Sequence, residues 1–216
     1  MRDKLSVLKE YFGHDSFREG QGRITDSLLG GRDVLGIMPT GAGKSICYQV
    51  PALMFDGITI VVSPLISLMK DQVSALVQSG VAAAYINSSL THAQYLKVLQ
   101  NTESGKYKII YVAPERLCAP AFLGICRNLN ISMVAVDEAH CVSQWGQDFR
   151  PSYLKIPDFI DALNSRPVVG AFTATATGAV RDDIKTLLRL VSPLVVTTGF
   201  DRPNLFFSVM QPKNKS

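Results

Sequence analysis

Residues 34–45 read VLGIMPTGAGKS, and their pattern is the strongest indication of the fold. Its first five residues are apolar and suit a buried strand, and residues 44–55 have the pattern of a helix. Between them, Gly41 and Gly43 allow successive backbone N–H groups to curve around phosphate oxygens. The N-terminus of the following helix adds the positive end of its dipole. We therefore expect a strand, a phosphate-binding loop and a helix in direct succession.

The side chains of this loop indicate ATP and Mg²⁺ as cofactors. Lys44 can reach the β- and γ-phosphates, and the Ser45 hydroxyl can bind Mg²⁺. The stricter form of the pattern has glycine where this chain has Met38, whereas the shorter form T-G-x-G-K-[ST] is complete. The residues expected to bind the nucleotide here are Thr40, Gly41, Ala42, Gly43, Lys44 and Ser45.

An acidic pair follows a second apolar run, because residues 133–136 (MVAV) end in Asp137 and Glu138. At the carboxyl end of a strand, Asp137 would face the phosphate loop and hold Mg²⁺ through water. Glu138 lies one residue further and points in another direction, so it can orient and deprotonate the attacking water. We therefore expect Lys44, Asp137 and Glu138 to be catalytic. His140 is either a site residue or a packed loop histidine.

Short apolar runs alternate with longer amphipathic segments along the chain. The expected strands are 34–38, 58–63, 82–86, 108–112, 133–137, 168–173 and 194–198. The expected helices are 44–55, 66–79, 91–103, 152–163 and 177–190. Runs without polar alternation are typical of strands buried on both faces. The alternation of strands and helices predicts an α/β fold with a central, mainly parallel β-sheet flanked by helices. Ligands of such a sheet bind beyond the carboxyl ends of the strands.

The composition suits one domain of ordinary size. The chain has 216 residues, of which 47% are hydrophobic and 19% charged, which is enough apolar material for a full core. The net charge of +4 is compatible with nucleic acid but also with many other enzymes. The four cysteines form no C-x-x-C pair, so we expect reduced thiols and no zinc site. No segment has the length and apolar character of a signal peptide or a membrane span, so no membrane partner is expected.

The end of the chain differs from the rest. Residues 1–199 fit a single α/β lobe. Residues 200–216 (FDRPNLFFSVMQPKNKS) begin a new apolar unit that has little room to finish. We expect them to be the truncated start of a linker or second lobe, and an ordinary C-terminal tail is the alternative.

Together with further segments, these motifs resemble the RecQ family of superfamily-two DNA helicases. The segments that carry the resemblance are 12–21 (FGHDSFREGQ), 63–72 (SPLISLMKDQ), 111–117 (YVAPERL), 137–151 (DEAHCVSQWGQDFRP), 173–176 (TATA) and 200–204 (FDRPN). They span nearly the whole chain. The resemblance implies a RecA-like phosphate-loop domain whose ATP hydrolysis drives movement along single-stranded DNA and unwinding, 3′ to 5′.

The resemblance implies that residues 12–21 recognise adenine. A glutamine side chain can pair with adenine N6 and N7 through one acceptor and one donor, which suits Gln21. Arg18 either braces the same pocket or pairs with a surface acid. His14 stands where the family has a tyrosine that stacks on adenine, and Glu19 stands where it has proline. The expected contacts are therefore His14, Arg18 and Gln21.

Residues 137–151 join the acidic pair to an aromatic-rich loop. A lone tryptophan is usually buried, but Trp145 lies among polar residues, so we expect it in a solvated loop. Bases stack on such rings whatever their sequence. The resemblance implies that the loop senses single-stranded DNA and reports to the ATP site. Its expected DNA-binding or coupling residues are Gln144, Trp145, Phe149 and Arg150, and Arg150 contacts either DNA or the second lobe.

Ser63, Ser67 and Lys70 follow the strand expected at 58–63. Hydroxyls and a helix N-terminus at such a place can bind DNA phosphates without reading bases. Simple helix capping by Ser67 is an equally good alternative.

Thr173 and Thr175 follow the strand expected at 168–173. They can hydrogen-bond one of the two carboxylates of the acidic pair and transmit closure of the site. Ordinary turn chemistry is the alternative.

The sequence thus predicts the ATP-binding lobe of a RecQ-like helicase. Its expected partners are single-stranded and partly duplex DNA and a second RecA-like lobe, and its location is cytoplasmic (nucleoid-associated) in a bacterium or nuclear in a eukaryote. The fragment alone is expected to lack unwinding, because no motif for an arginine finger follows Asn204. Arg181 and Arg189, on the helix expected at 177–190, are not placed by any motif. The rival interpretations are an RNA helicase lobe, another phosphate-loop ATPase, a standalone binding module and a structural protein.

Overall fold

The computed structural model describes residues 3–199 and residue 208. Seven strands in that part of the chain form one sheet: β1 (Val34–Ile37), β2 (Ile58–Val62), β3 (Ala83–Ile86), β4 (Ile109–Val112), β5 (Ile131–Val136), β6 (Val168–Thr173) and β7 (Leu194–Thr197). The helices are α1 (Lys4–Phe12), α2 (Gln21–Leu29), α3 (Lys44–Met54), α4 (Ile66–Gln78), α5 (His92–Glu103), α6 (Pro120–Arg127), α7 (Ile156–Asp161) and α8 (Gly178–Leu187). Short 3₁₀ turns cover Pro114–Arg116, Ala139–Val142 and Pro151–Lys155. The expectations for residues 200–216 lie outside the described residues, apart from residue 208.

The sheet has the order β3-β4-β2-β5-β6-β1-β7, and every neighbouring pair is parallel. The prediction of a central, mainly parallel sheet is confirmed. Because β5, β6 and β1 lie side by side, the loops that leave their carboxyl ends emerge at the same edge of the sheet. Three segments that are distant in sequence therefore meet at that edge.

Helices cover both faces of the sheet, which is why the strands carry apolar residues on both sides. In β1, Leu35 and Ile37 belong to the core on one face and Val34 belongs to the core on the other, as the two-residue period of a strand requires. The first core includes side chains from α5, α6, α7 and α8, and the second includes side chains from α2, α3 and α4. All residues of β1, β2, β4 and β6 are buried.

Two of the expected helices differ from the structure by more than one residue at a terminus. The helix expected over 152–163 is divided, because a 3₁₀ turn over Pro151–Lys155 precedes α7. Pro157 has no N–H to donate to a carbonyl one turn earlier, so a continuous helix is interrupted there. The helix expected over 177–190 ends at Leu187. Arg189 has a positive φ of 51° and lies beyond that end, which corrects its expected position.

Three helices are present that the apolar pattern does not predict. They are α1, α2 and α6, which have nine, nine and eight residues. Two helical turns contain too few apolar positions for a clear 3.6-residue period. Among the described residues, no helix combines the length and the apolar character needed to cross a membrane.

A buried ion pair anchors the opposite, amino-end edge of the sheet. The Asp33 side chain is almost fully buried, and its Oδ2 lies 2.5 Å from Nη2 of Arg166. The same carboxylate accepts the backbone N–H groups of Val169, at 2.9 Å, and Val191, at 2.7 Å. One side chain thus joins the start of β1 to the start of β6 and to the segment before β7.

The four cysteines are free thiols in the structure. Burial raises the pKa of the Cys47, Cys126 and Cys141 thiols to about 12. These three side chains therefore stay protonated at neutral pH and act as small apolar groups rather than nucleophiles.

Candidate functional site

The phosphate loop leaves the carboxyl end of β1 and enters α3 at Lys44. Gly41 and Gly43 have positive φ angles of 84° and 78°, which suit the expected curl of the backbone. A Cβ atom at position 43 would lie 2.5 Å from Nε2 of Gln21, so only glycine fits there. The Lys44 ammonium donates to the carbonyl of Met38 at 3.2 Å. The loop therefore curves around its own lysine.

Gln21 and Arg18 hold this loop from outside. The Gln21 side chain is buried, and its Nε2 donates to the carbonyls of Ala42, at 3.0 Å, and Gly43, at 3.1 Å. Its Oε1 accepts the backbone N–H of Arg18 at 2.8 Å. The Arg18 guanidinium donates to the carbonyl of Gly41 at 2.7 Å, so it braces the pocket instead of pairing with a surface acid. Both amide hydrogens of Gln21 are thus used on the phosphate loop itself.

Three further residues expected to contact the nucleotide lie around the loop. Ser45 is half-buried in the first turn of α3, next to Lys44. Thr40 is exposed, and His14 is exposed in the turn that follows α1. A hydroxyl at position 45 can reach a metal ion held near the phosphates.

Asp137 follows β5 at the same edge of the sheet. Its backbone N–H donates to the carbonyl of Val62 at 2.9 Å, and its carbonyl accepts the Tyr153 hydroxyl at 2.9 Å. Its side chain is buried, and Oδ1 accepts the backbone N–H of Glu138 at 3.0 Å. Burial and the neighbouring charge of Glu138 raise the pKa of the Asp137 carboxyl to about 6, although the positive charge of Lys44 opposes this shift.

Glu138 turns away from Asp137 because its backbone has a positive φ of 47°. This conformation is uncommon for a residue other than glycine, and it redirects the side chain at the end of a strand. Oε2 of Glu138 lies 3.3 Å from Nδ1 of His140. The two adjacent carboxylates therefore have different partners.

His140 connects the acidic pair to the end of β6. Its Nδ1 lies 2.9 Å from Oγ1 of Thr173, and the Thr173 hydroxyl donates to the carbonyl of Thr175 at 3.0 Å. Because that hydroxyl hydrogen is used on Thr175, Oγ1 must accept a hydrogen from Nδ1. Thr173 thus binds His140 and not a carboxylate, which corrects the expectation for that residue, and its bond to the Thr175 carbonyl is the turn contact named as the alternative. The Thr175 side chain is exposed, so its binding to a carboxylate stays a prediction. The place of His140 directly after D-E-A was the only signal for this link.

Trp145 lies in the loop that follows the acidic pair, and its side chain is 78% exposed, which confirms a solvated position. Gln144 is exposed and Phe149 is half-buried. A Cβ atom at position 146 would lie 2.4 Å from the carbonyl oxygen of His140, so Gly146 allows the loop to fold back on itself. The tryptophan is therefore presented to solvent by a tightly turned loop.

Arg150 closes this loop against the segment after β2. Its guanidinium donates to Oδ2 of Asp148 from Nε, at 3.0 Å, and from Nη2, at 2.8 Å. Nη1 donates to the carbonyl of Pro64 at 3.1 Å. These contacts fix the position of the guanidinium within the chain, and the expectation that Arg150 contacts DNA or a second lobe stays a prediction.

The residues after β2 occupy different environments. Ser63 is buried, and its hydroxyl finds no hydrogen-bond partner among the described residues. Ser67 and Lys70 are exposed on α4. The residue that caps this helix is Leu65, so the alternative that Ser67 is a simple helix cap is wrong.

A cavity of about 380 Å³ lies between the loop that bears Trp145 and the start of α8. Its lining includes His140, Trp145, Gly146, Thr175, Thr177 and Arg181. The aromatic loop and the segment after β6 therefore share one concave surface.

The chain matches the profile of the DEAD/DEAH box helicase family over residues 18–184. It is 50% identical to "ATP-dependent DNA helicase RecQ" of Bacillus subtilis over 211 residues, which cover 97% of this chain and 36% of that protein. It is 44% identical to "ATP-dependent helicase wrn-1" of Caenorhabditis elegans over 218 residues, which cover 99% of this chain and 20% of that protein. The chain spans about a third of the length of the bacterial RecQ relatives that it matches.

Solved structures share the fold. The helicase MrfA bound to DNA superposes with a TM-score of 0.73 at 16% identity, over 92% of this chain and 30% of that chain. A hypothetical ATP-dependent RNA helicase from Sulfolobus tokodaii superposes with a TM-score of 0.70 at 20% identity, over 91% of this chain and 57% of that chain. At these identities the likeness shows the fold alone, and it confirms the RecA-like architecture. Since the family profile covers most of its length, the chain belongs to the DEAD/DEAH box helicase family.

Proposed function

We propose that this chain is the ATP-binding lobe of a RecQ-type DNA helicase, a protein that uses ATP and Mg²⁺ to move along single-stranded DNA and separate duplex strands. One observation carries the proposal: the phosphate loop, the acidic pair and the exposed Trp145 all follow strands that end at one edge of the sheet. The identity of 50% to a bacterial RecQ supports it. The polarity, 3′ to 5′, rests on the family resemblance.

The phosphate loop and the acidic pair fit a nucleotide with Mg²⁺. A divalent cation beside Asp137 offsets the burial that raises the pKa of its carboxyl to about 6. Ser45 and Asp137 would hold Mg²⁺, and Lys44 would leave the Met38 carbonyl to hold phosphate oxygens. When bound, Mg²⁺ neutralises negative charge on the phosphates. Glu138 would orient the attacking water and accept its proton.

Gln21 is proposed to read adenine while it remains on the phosphate loop. Its Oε1 has a second lone pair beyond the one that accepts the Arg18 N–H, so it can accept a hydrogen from the adenine amino group. Donation to adenine N7 requires release of one of the carbonyls of Ala42 and Gly43. His14, exposed nearby in sequence, is proposed to flank the base.

The exposed loop is proposed to bind single-stranded DNA. Trp145 offers a base an exposed aromatic face in the same segment as Gln144 and Phe149. The exposed Ser67 and Lys70 on α4 are proposed to hold DNA phosphates, which fixes position without reading sequence.

Coupling of DNA to ATP hydrolysis is proposed to run through His140. Its imidazole contacts both Glu138 and Thr173, and its segment continues directly into the loop that bears Trp145. A shift of the loop therefore changes the surroundings of the proposed catalytic carboxylate over a path of a few residues.

The proposal assigns residues 1–199 to this lobe and residues 200–216 to the path into a second RecA-like lobe. The partners are single-stranded and partly duplex DNA. In a bacterium the protein would act in the cytoplasm, on the nucleoid, and in a eukaryote it would act in the nucleus.

The test is ATP turnover of the full-length protein with and without single-stranded DNA. Lys44→Ala removes the lysine proposed to hold phosphate oxygens, and turnover should fall on the order of 10²–10³-fold. Trp145→Ala should bind DNA nearly as tightly, because phosphate contacts dominate affinity, but should lose most of the stimulation by DNA.

Lys106→Ala is the matched control, since Lys106 is exposed before β4 at the opposite edge of the sheet. The Lys106 variant should behave like the unmodified protein. Normal turnover by a folded Lys44 variant, or full DNA stimulation of the Trp145 variant, would contradict the proposal.

A further inference from the structure

The loop that bears Trp145 is held by a buried hydroxyl. The Ser143 side chain lies at 0% exposure, and its Oγ accepts the backbone N–H of Trp145 at 3.1 Å. The same hydroxyl donates its hydrogen to Oδ2 of Asp183 at 2.6 Å. Ser143 thus stands between the proposed DNA contact and a carboxylate that is 40 residues away in sequence.

Asp183 lies on α8, which begins after the threonine-rich segment at the end of β6. Its neighbour Asp182 is exposed and pairs with Lys185 at 2.8 Å, whereas the half-buried Asp183 faces the loop. The loop is therefore attached to the β6–α8 segment twice, once through His140 and Thr173 and once through Ser143 and Asp183.

The carboxylate determines how the hydroxyl is oriented. A serine hydroxyl has one hydrogen, and a carboxylate takes it in a short, charge-assisted bond. With the hydrogen directed at Asp183, a lone pair of Oγ is left to accept the Trp145 N–H. Without the carboxylate the hydroxyl rotates among several orientations, and the N–H loses a fixed acceptor.

We propose that Asp183 is a positioning residue for Trp145: through the Ser143 hydroxyl, it fixes the backbone of the aromatic loop and the direction in which the indole is presented. The part of this statement that concerns DNA rests on the proposed function. The part that concerns the loop does not, and the two can be measured separately.

Trp145 reports on its own loop, because it is the only tryptophan of the chain. The first measurement is amide hydrogen exchange over residues 143–147 of the DNA-free chain, together with quenching of tryptophan fluorescence by acrylamide. The variants are Asp183→Ala, Asp183→Asn and Ser143→Ala. Asp182→Ala is the matched control on the same helix.

Asp183→Ala and Ser143→Ala should each accelerate exchange of the Trp145 amide by about ten- to a hundredfold, the range for loss of a hydrogen bond to a charged group. Asp183→Asn keeps an acceptor without the charge, so its exchange rate for the Trp145 amide should lie between the rates of these two variants and that of the unmodified chain. The double variant should be no faster than either single variant, because both changes break one connection. Asp182→Ala should leave the exchange of this amide unchanged.

The proposal is overturned if Asp183→Ala, folded by circular dichroism, exchanges the Trp145 amide as slowly as Asp182→Ala. It is also overturned if exchange rises equally along all of α8, since Asp183 would then stabilise the helix and not the loop. Full additivity of the two single variants would likewise contradict a shared connection.

A titration with single-stranded DNA separates this proposal from the proposed function. If the fluorescence of Trp145 in the unmodified chain responds to DNA, the Asp183→Ala variant should show a smaller fluorescence change at saturating DNA. Its half-saturating DNA concentration should stay close to that of the unmodified chain, because phosphate contacts dominate affinity. If the unmodified chain shows no response while exchange still rises in the variant, the DNA role of Trp145 fails and the positioning role stands.

Discussion

At the residue scale, the site depends on a few atoms whose hydrogen bonds are all in use. Nε2 of Gln21 donates to two carbonyls of the phosphate loop, and Oγ1 of Thr173 both accepts and donates. Asp137 is different, because its carboxyl is buried next to a second acid and its pKa is raised. The effect of a Gln21 substitution on binding should therefore depend on the ligand, and the effect of an Asp137 substitution on stability should depend on pH.

Gln21→Ala is expected to weaken binding of ATP and to lower its discrimination from GTP. Loss of a base contact should reduce discrimination by about 1–3 kcal/mol. Loss of the two bonds to the loop should also weaken binding of inorganic tripolyphosphate, which has no base. The measurement is competition by ATP, GTP and tripolyphosphate for a fluorescent nucleotide.

The exposed Gln78→Ala, at the end of α4, is the control for this comparison. If GTP competes as well as ATP for the unmodified chain, adenine is not read. If tripolyphosphate binds the Gln21 variant normally, the amide does not support the loop.

Asp137→Asn is expected to stabilise the metal-free chain at neutral pH. Burial and then Glu138 raise the pKa of this carboxyl from 3.8 to about 6, so the folded state holds the proton to a higher pH than the unfolded state does. The free energy of unfolding therefore falls as the pH rises through about 6. Above that pH, the free energy of unfolding of Asp137→Asn should exceed that of the unmodified chain by on the order of 2–3 kcal/mol. The difference should disappear toward pH 4, as the carboxyl becomes protonated in both states.

Urea unfolding in EDTA at several pH values measures this difference. The exposed Asp71→Asn serves as the control and should show no gain with this pH profile. Excess Mg²⁺ with nucleotide should reverse the order, because the carboxylate is the proposed ligand of that ion. A gain for Asp137→Asn that is independent of pH would show that ionisation is not its cause.

At the element scale, the order of the strands builds both edges of the sheet. The carboxyl ends of β5, β6 and β1 bring the acidic pair, Thr173 and the phosphate loop together. At the amino ends, Asp33 joins β1 and β6 to the segment before β7. One edge carries the proposed chemistry, and the other fixes the relative position of the strands that support it.

Asp33→Ala is therefore expected to destabilise the whole sheet. It leaves Arg166 without its buried partner and two backbone N–H groups without an acceptor, which should lower the free energy of unfolding by about 3 kcal/mol. Thermal or urea unfolding measures the change. Asp15→Ala, which breaks only the exposed pair with Lys9, should have little effect. Equal effects of the two substitutions would show that the buried anchor does not hold the strands.

At the scale of the whole molecule, this chain corresponds to about a third of each bacterial RecQ relative. Of the two arginines that no motif places, Arg189 pairs with Asp158 and Asp161, and its carbonyl contacts the Arg166 guanidinium near the amino-end edge. It is thus far from the phosphate loop. Arg181 lines the cavity beside Trp145 instead.

Residues 1–216 alone are expected to bind ATP weakly, to hydrolyse it slowly and to unwind no duplex. In the proposed two-lobe mechanism, an arginine finger from the second lobe stabilises transition-state charge and is typically worth about 10³–10⁵ in rate. Turnover by residues 1–216 alone should therefore be lower than that of the full-length protein by a comparable factor. A single lobe also cannot open and close on DNA. Turnover and unwinding of a tailed duplex are the measurements, and rapid DNA-stimulated turnover or any strand separation by this fragment would refute the two-lobe mechanism.

The parallel sheet, the phosphate loop with Lys44 and the exposure of Trp145 could all be predicted from the sequence. These features follow from apolar runs, from glycine and from polar neighbours, which act over a few residues. Three contacts could not be predicted in this way: Gln21 supports the phosphate loop, Thr173 binds His140, and Asp33 pairs with Arg166. Their partners are 22, 33 and 133 residues apart. Such contacts depend on the order of strands in the sheet, and side-chain patterns along the chain do not encode that order.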